Sequence, residues 1–385
     1  MEYRIGKKED IGDIIDFANY VFSQNECPHE FKSMLPKLYA GRENSAQHHY
    51  LAISDGRIKA MVCALPLEYI TPAGILKTAC IGMVSVHPYA RGKGYMKELM
   101  QQAIRDLKEK GCAYLFLGGQ RQRYEYFGFE PAGIKLEFLL TRTNLRHAYP
   151  DSGSGELEIV PCMGEELLEE AYALYERQPY RMYRSREEFY DILCSWKSSP
   201  YAVLHQGKLA GYFVLGSEGT VAELLLQDSS LYPELMRGLF DLSKRDSHKF
   251  LVSPAEPEKV DLLLRVAETW SITTDESYLI FDWAAIISAL LHKKAEYESL
   301  PEGEAALRIG NTTVHIAVRN NKPVVYEDSE PAEIILDPLE ATALCFSPAG
   351  EYLLNKYIAK LDKEKYACVR RWFPLPLFSA PSDCC

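Results

Sequence analysis

The stretch Ile81-Gly-Met-Val-Ser-Val-His-Pro-Tyr-Ala-Arg-Gly-Lys-Gly-Tyr-Met-Lys-Glu-Leu-Met100 decides how the rest of the chain is read. Met83 to Val86 predicts a buried strand, and Pro88 breaks it. Arg91-Gly92-Lys93-Gly94 is a tight basic loop, after which Met96, Leu99, Met100, Ala103 and Leu107 recur at helical spacing. Lys108, Lys110 and Gly111 supply the stop signals of that helix. A glycine loop that opens a helix aims unpaired backbone N–H groups at one point, where the helix dipole adds partial positive charge. Such a loop suits a phosphate or pyrophosphate, and Arg91 and Lys93 can add charge-assisted hydrogen bonds to it. It is neither a GxxxxGK[ST] nor a GxGxxG loop.

The 385 residues predict two or three domains, and 47% hydrophobic with 25% charged residues is ordinary for a soluble globular protein. A formal net charge of −11 disfavours nucleic acid or an anionic membrane as partner and is compatible with a cationic substrate. Ten Cys without a C-x-x-C, and an N-terminus without an apolar signal region, predict a cytoplasmic protein with reduced thiols. The run Trp283 to Leu291 is too short to span a bilayer.

Working outward from the quoted stretch, Tyr3-Arg-Ile predicts a strand, and Asp10 a cap for a helix bearing Ile11, Ile14, Ile15, Ala18 and Val21. Asp55-Gly56-Arg57 reads as a hairpin turn between Tyr50–Ile53 and Lys59–Leu65. Ala113 to Leu117 is a second buried strand, ending in Gly118-Gly119. Asp151 to Gly155 is a polar linker candidate. Beyond it the chain repeats itself: Pro200 to Tyr212 echoes His49 to Met61, Val221 to Leu226 takes the slot of the Val84 strand, and Leu235 to Leu242 that of the helix. The intervening Gln227-Asp-Ser-Ser-Leu-Tyr-Pro233 has no glycine, Arg or Lys. From about residue 290 the pattern predicts an antiparallel sheet (306–309, 313–318, 324–326, 332–336), a turn at Asn320-Asn321, and helices over 338–344 and 350–360. The aromatic, proline-rich end from Arg371 cannot be a helix.

Val84-x-Val86-x-Pro88-x-x-Arg91-x-x-Gly94 resembles the acetyl-CoA signature of the GNAT superfamily of N-acetyltransferases, [RQ]-x-x-G-x-[GA], with Met96 in place of the last small residue. Tyr124, Gly128 and Phe129 match a second GNAT pattern, Y-x-x-x-G-[FY]. With a degenerate second unit and a small third one, the whole chain resembles the enhanced intracellular survival (Eis-like) acetyltransferases. The resemblance implies a mixed α/β protein: a catalytic GNAT domain over 1–150, a degenerate GNAT-like domain over 151–288, and a sterol-carrier-like α+β domain over 289–385. It implies acetyl-CoA as donor, primary amines of small cationic molecules (aminoglycosides or polyamines) as acceptors, no metal, and a homo-hexamer. Backbone N–H groups of Val84, Ser85 and Val86 are expected at the thioester carbonyl, and Arg91, Gly92, Lys93, Gly94, Tyr95 and Met96 at the pyrophosphate, with Gly119 and Gln120 completing the cofactor-binding set. Tyr124 is the expected general acid, since a phenol can protonate a CoA thiolate, and Tyr126 is the confusable neighbour. The family's general base would be the α-carboxylate of Cys385; an α-carboxyl ordinarily titrates at about 3.5, so this role calls for burial or a relaying water. Glu26 and the His48-His49 pair read as solvated surface, His87 as structural, and Cys384 with Cys385 only weakly as a redox or metal pair. Two alternatives stay open: acetylation of a protein lysine or N-terminus, and a non-catalytic acyl-CoA or lipid-binding module.

Overall fold

The computed structural model describes residues 1–24, 28–41, 43–150, 157–161, 163–358 and 366–385. Glu26 and the linker Asp151–Gly155 lie outside the described residues. In chain order the first strands are β1 (Glu2–Ile5), β2 (His49–Ser54), β3 (Arg57–Thr71), β4 (Gly74–Val86), β5 (Tyr114–Leu117), β6 (Glu130–Ala132) and β7 (Lys135–Thr141). The second unit supplies β8 (Leu157–Val160), β9 (Arg181–Met182), β10 (Ser199–His205), β11 (Lys208–Leu215), β12 (Thr220–Leu226), β13 (Ser247–Val252), β14 (Thr269–Thr273) and β15 (Glu276–Ile280). Asp55 and Gly56, both at positive φ, form the expected tight turn of the β2–β3 hairpin, and Gln206-Gly207 repeats it between β10 and β11.

The two large sheets share one strand order, but each borrows a strand from the other. The first runs β1-β2-β3-β4-β5-β15-β6, with β9 added to β3, and the second β14-β7-β13-β12-β11-β10-β8. β7 pairs with β13 and β14, whereas β15 pairs with β5 and β6. Divisions at 150 and 288 therefore do not coincide with the sheets. Alternation explains the placement: Leu136, Phe138 and Leu140 of β7 bury into the core of the second sheet, and Tyr278 and Ile280 of β15 into a core shared by the first sheet and the C-terminal unit. Position 288 falls inside the helix Trp283–Ala295, whose Ile286, Ile287, Leu290 and Leu291 bury into that shared core.

The C-terminal unit has β16 (Gly303–Ile309), β17 (Thr312–Arg319), β18 (Lys322–Asp328) and β19 (Ile334–Leu336), ordered β18-β17-β16-β19. Asn320 and Asn321 turn the chain at positive φ, as their composition predicts. Leu307, Val314, Ile316, Phe346 and Trp372 fill the space between this sheet and its helices. The expectation of no helix from Arg371 needs correction: Arg371 and Trp372 complete the helix Ala367–Trp372, and Pro374 follows its end. Among the described residues no helix is long and apolar enough to cross a membrane.

Two polar assignments also change. Asp10 does not cap its helix with its side chain, because its carboxylate is engaged by the Arg4 guanidinium (2.6 and 2.8 Å) and the Lys7 N–H (2.7 Å). His49 is not on the surface but fully buried, hydrogen-bonded to the Tyr39 hydroxyl (3.0 Å) and the Ser45 carbonyl (3.1 Å), and burial pushes its pKa down to about 4.

After Trp372 the tail crosses all three units. Ser379 N–H donates to Asp275 (2.7 Å), and Lys37 Nζ donates to the carbonyls of Ser382 (2.6 Å) and Cys384 (2.5 Å). Arg184, 1% exposed, bridges Asp383 of the tail (2.9 Å) and Glu223 of β12 (2.8 Å). Removing one member of a buried, hydrogen-bonded charge group strands the others, so Arg184→Ala should cost about 3–5 kcal/mol. Denaturant unfolding would show it; a loss under about 1 kcal/mol would rule out this clamp.

Candidate active site

β4 carries the first feature that a strand alone does not explain. Opposite β3, Met61 faces Ser85 and Cys63 faces Gly82, so β4 holds one residue more than its partner, and Met83 adopts φ +52°. This is a β-bulge, which bends a strand and re-aims its backbone groups. On the other side β4 pairs with β5 in parallel only from Thr78–Cys80 to Tyr114–Phe116. Beyond Cys80 and Phe116 the strands part, so Val84, Ser85 and Val86 have no partner on β5 and can hydrogen-bond an extended ligand.

The basic loop sits at the end of this opening. Gly92 (φ +75°) and Gly94 (φ +79°) take left-handed conformations that disfavour a side chain, and Gly94 caps the helix Tyr95–Glu109. The first intrahelical bond here is Glu98 N–H to the Gly94 carbonyl (3.1 Å), leaving the N–H groups of Tyr95 and Met96 for an anion. Arg91 and Lys93 are exposed beside them. Met96 fits without blocking the loop, because its side chain packs with Tyr95 against the core under the helix. A pyrophosphate-bearing ligand suits this donor set.

The two tyrosines separate cleanly. Tyr124 is buried at the end of the helix Arg121–Tyr124, in the same core as Val84 and Val86; burial raises its pKa, opposed in part by Arg123. A Cβ on Gly119 (φ +135°) would lie 2.7 Å from the Tyr124 ring, so the exposed Gly119-Gln120 turn has to begin with glycine. Tyr126 is 63% exposed with Lys97 over its ring, and does not reach this core. His87 stacks on Tyr20 and accepts from Tyr89 N–H, a structural role.

Sheet alternation sorts the remaining groups by face. Ala79, Ile81, Leu115 and Leu117 point to the helix Tyr95–Glu109 and Tyr124, whereas Cys80, Tyr114, Phe116 and Tyr278 point to the C-terminal unit. Gly82 shares the second face, and a Cβ there would overlap the Cys385 carboxyl carbon and oxygen. Cys385 N–H donates to Cys80 Sγ (3.2 Å), and Trp196 Nε1 donates to the Cys384 carbonyl (3.0 Å). The structure thus puts Tyr124 and Cys385 on opposite faces of the same strand divergence.

Sequence reading missed a third group there, Glu276 on the borrowed strand β15. Its Oε2 lies 3.1 Å from where a Gly118 Cβ would be, and Cys384 Sγ stands 3.7 Å from its Oε1. Burial, then the neighbouring Asp275, push Glu276 up to about 7, and burial pushes Asp275 up to about 6. The Asp275-Glu276 pair at the start of an apolar run was the available signal, but it lies in what reads as the second unit. Two cavities border the tail, both touching Asp383. One of about 970 Å³ is lined by Lys37, His48, Glu68, Lys110 and Glu188, and one of about 390 Å³ by Tyr175, Glu223, Lys259 and Lys293; neither reaches the 91–96 loop or Tyr124. Among the described residues no group of three or more His, Cys, Asp or Glu is arranged to hold a metal ion.

Residues 2–132 match the family described as an acetyltransferase (GNAT) domain. A probable N-acyltransferase from Enterococcus faecalis has the same fold over 99% of this chain and 98% of its own, at 17% identity and a TM-score of 0.66. A GCN5-related N-acetyltransferase from Anabaena variabilis matches over 99% and 98% (14% identity, TM-score 0.66). Eis1 from Mycobacterium abscessus matches over the same shares at 14% identity and a TM-score of 0.65. No curated protein sequence matches the chain.

Gly82→Ala, at a backbone conformation open to any residue, should expel the tail by steric overlap alone. Hydrogen exchange of residues 379–385 should then rise at least about tenfold; unchanged protection would mean that the tail is not seated on Gly82.

Proposed function

We propose that this chain, a GNAT N-acetyltransferase of Eis-like architecture, transfers the acetyl group of acetyl-CoA to a primary amine of a small cationic molecule, of the aminoglycoside or polyamine kind. The observation that carries this reading is the β4–β5 divergence, with a phosphate-suited helix N-terminus at its end, a buried phenol on one face and a carboxyl on the other. The pyrophosphate lies on the N–H groups at Gly94 to Met96 with Arg91 and Lys93 alongside, and Gly119-Gln120 borders the pantetheine. Backbone N–H groups of Val84 to Val86 polarise the thioester carbonyl. Tyr124 protonates the departing thiolate, and its raised pKa keeps it protonated at neutral pH. The Cys385 carboxyl takes a proton as the amine attacks.

A small acceptor is favoured over a protein because the C-terminal unit packs on the carboxyl-bearing face of the first sheet. A cation is favoured because Cys385, Glu276 and Asp275 bring carboxyl groups to that face. The filled interior of the C-terminal unit argues against a lipid carrier, although its sheet-and-helix arrangement suits the sterol-carrier-like description. Hexamer formation and a cytoplasmic location belong to the same reading by family resemblance; Trp270 and Ile272, exposed on the edge strand β14, suit a subunit contact.

Mass-spectrometric detection of acetylated product from acetyl-CoA and a panel of polyamines, aminoglycosides and peptides tests the reaction. Tyr124→Phe should lower kcat by about 10²–10⁴-fold while acetyl-CoA affinity holds within about threefold. A chain extended past Cys385 should lose activity similarly. Product from peptides alone would move the acceptor to proteins.

A further inference from the structure

Where β4 and β5 part, two glycines on facing strands share one sheet face, and each has a carboxyl group against it, overlapping the place of a Cβ at Gly82 and 3.1 Å from that place at Gly118. On Gly82 it is the Cys385 carboxyl, and on Gly118 it is Glu276. The second juxtaposition follows from register: Ser277 pairs with Leu117, so Glu276 and Gly118 are the next neighbours across the same ladder. Glu276 is thus delivered to the mouth of the first domain's cleft by the strand that the second unit lends.

Acylation of an ammonium group removes two protons from the nitrogen. One must leave before attack, to free the lone pair, and one after the N–C bond forms and the C–S bond breaks. One of these ends on the CoA sulfur and the other in solvent. Tyr124 supplies the sulfur proton and is restored by the second nitrogen proton through the Cys385 carboxyl. The first proton has no recipient in that account. We infer that Glu276 is the proton acceptor that converts the bound ammonium to the attacking amine and passes that proton to solvent. This assignment rests on the amine N-acetyltransferase reading above.

Chemistry favours Glu276 for this step over the terminal carboxyl. An α-carboxyl of ordinary acidity is a weak base at neutral pH, whereas a partly buried glutamate accepts protons near neutrality. The groups around Glu276 act in both directions. Asp275, itself hydrogen-bonded by the Tyr278 hydroxyl (2.9 Å) and the Ser379 N–H, raises its proton affinity; the Cys384 thiol and Lys135 lower it. The balance leaves its midpoint at about 7. Gly118 matters because it lets the carboxylate approach the strand, where a Cβ would lie 3.1 Å from Oε2.

The test is the pH dependence of kcat/KM between about pH 5.5 and 10, using whichever of spermidine, kanamycin and a lysine peptide the wild-type chain acetylates best. Wild type should lose activity as pH falls below about 7, as Glu276 gains its proton. Glu276→Gln should be about 10²-fold slower near neutral pH, lack that limb, and approach wild type only near the acceptor's own amine pKa. Glu276→Asp, which keeps a carboxylate but withdraws it by one methylene, should show a loss of about tenfold with the low-pH limb retained and acetyl-CoA affinity unchanged. Wild-type rates in Glu276→Gln, or the same loss at every pH with acetyl-CoA binding intact, overturn the assignment while leaving the acetyltransferase reading in place. Should Glu276→Gln lose acetyl-CoA binding altogether, Glu276→Asp decides, and a wild-type rate and profile there overturn it. No product from wild type with any of the three amines removes both readings together.

Discussion

The buried guanidinium of Arg184 is the interaction on which the rest of this architecture depends. A cation with 1% of its side chain exposed persists only if anions and hydrogen bonds replace its water, and here Glu223 and Asp383 do so from two different units. Glu223 is further fixed by the Tyr212 hydroxyl (2.5 Å), and Arg184 lies over the ring of Tyr175. Asp383 is two residues from Cys385, so the charge that anchors β12 also sets where the chain reaches Gly82. The Gly82 face of the first domain is in this sense built by the second.

The same arrangement explains why one cleft is open and its structural counterpart is shut. β12 and β13 pair in parallel only through Val221 and Phe250, as β4 and β5 do through Cys80 and Phe116. Two residues on, the first strand has Gly82 and the second Glu223. Where the first unit has room for the backbone of Cys385, the second has a side chain held by Arg184, with Lys259 Nζ donating to the adjacent Leu224 carbonyl (2.7 Å). The helix that follows begins at Tyr232-Pro233, without a glycine at positive φ to open its N-terminus. In the second unit, a helix start without such a glycine and a closed cleft go together.

Much of this was legible in the sequence wherever local chemistry decides local structure. The glycine loop, the Asp55-Gly56 and Asn320-Asn321 turns and the paired hairpins all follow from short-range patterns, and the motif position of Tyr124 picks it out from Tyr126. What could not be read was pairing across long separations. β7 and β15 alternate correctly for strands, but alternation says which face is buried and not which sheet supplies the neighbours. Glu276 was invisible for that reason. His49 was misjudged because a histidine beside another polar residue resembles surface until a buried tyrosine hydroxyl turns out to be its partner.

The reciprocal loan of β7 and β15 bears on how the molecule comes into being. Until residues 276–280 have been synthesised, the first sheet has an unfilled slot between β5 and β6, flanked by unpaired backbone groups. The second sheet, by contrast, receives β7 early and lacks only its own later strands. The nascent chain therefore cannot complete its domains one after another in the usual N-to-C order. The first sheet must wait, partly edged and exposed, for a segment made well over a hundred residues later. A fragment cut after the first domain would carry that gap permanently.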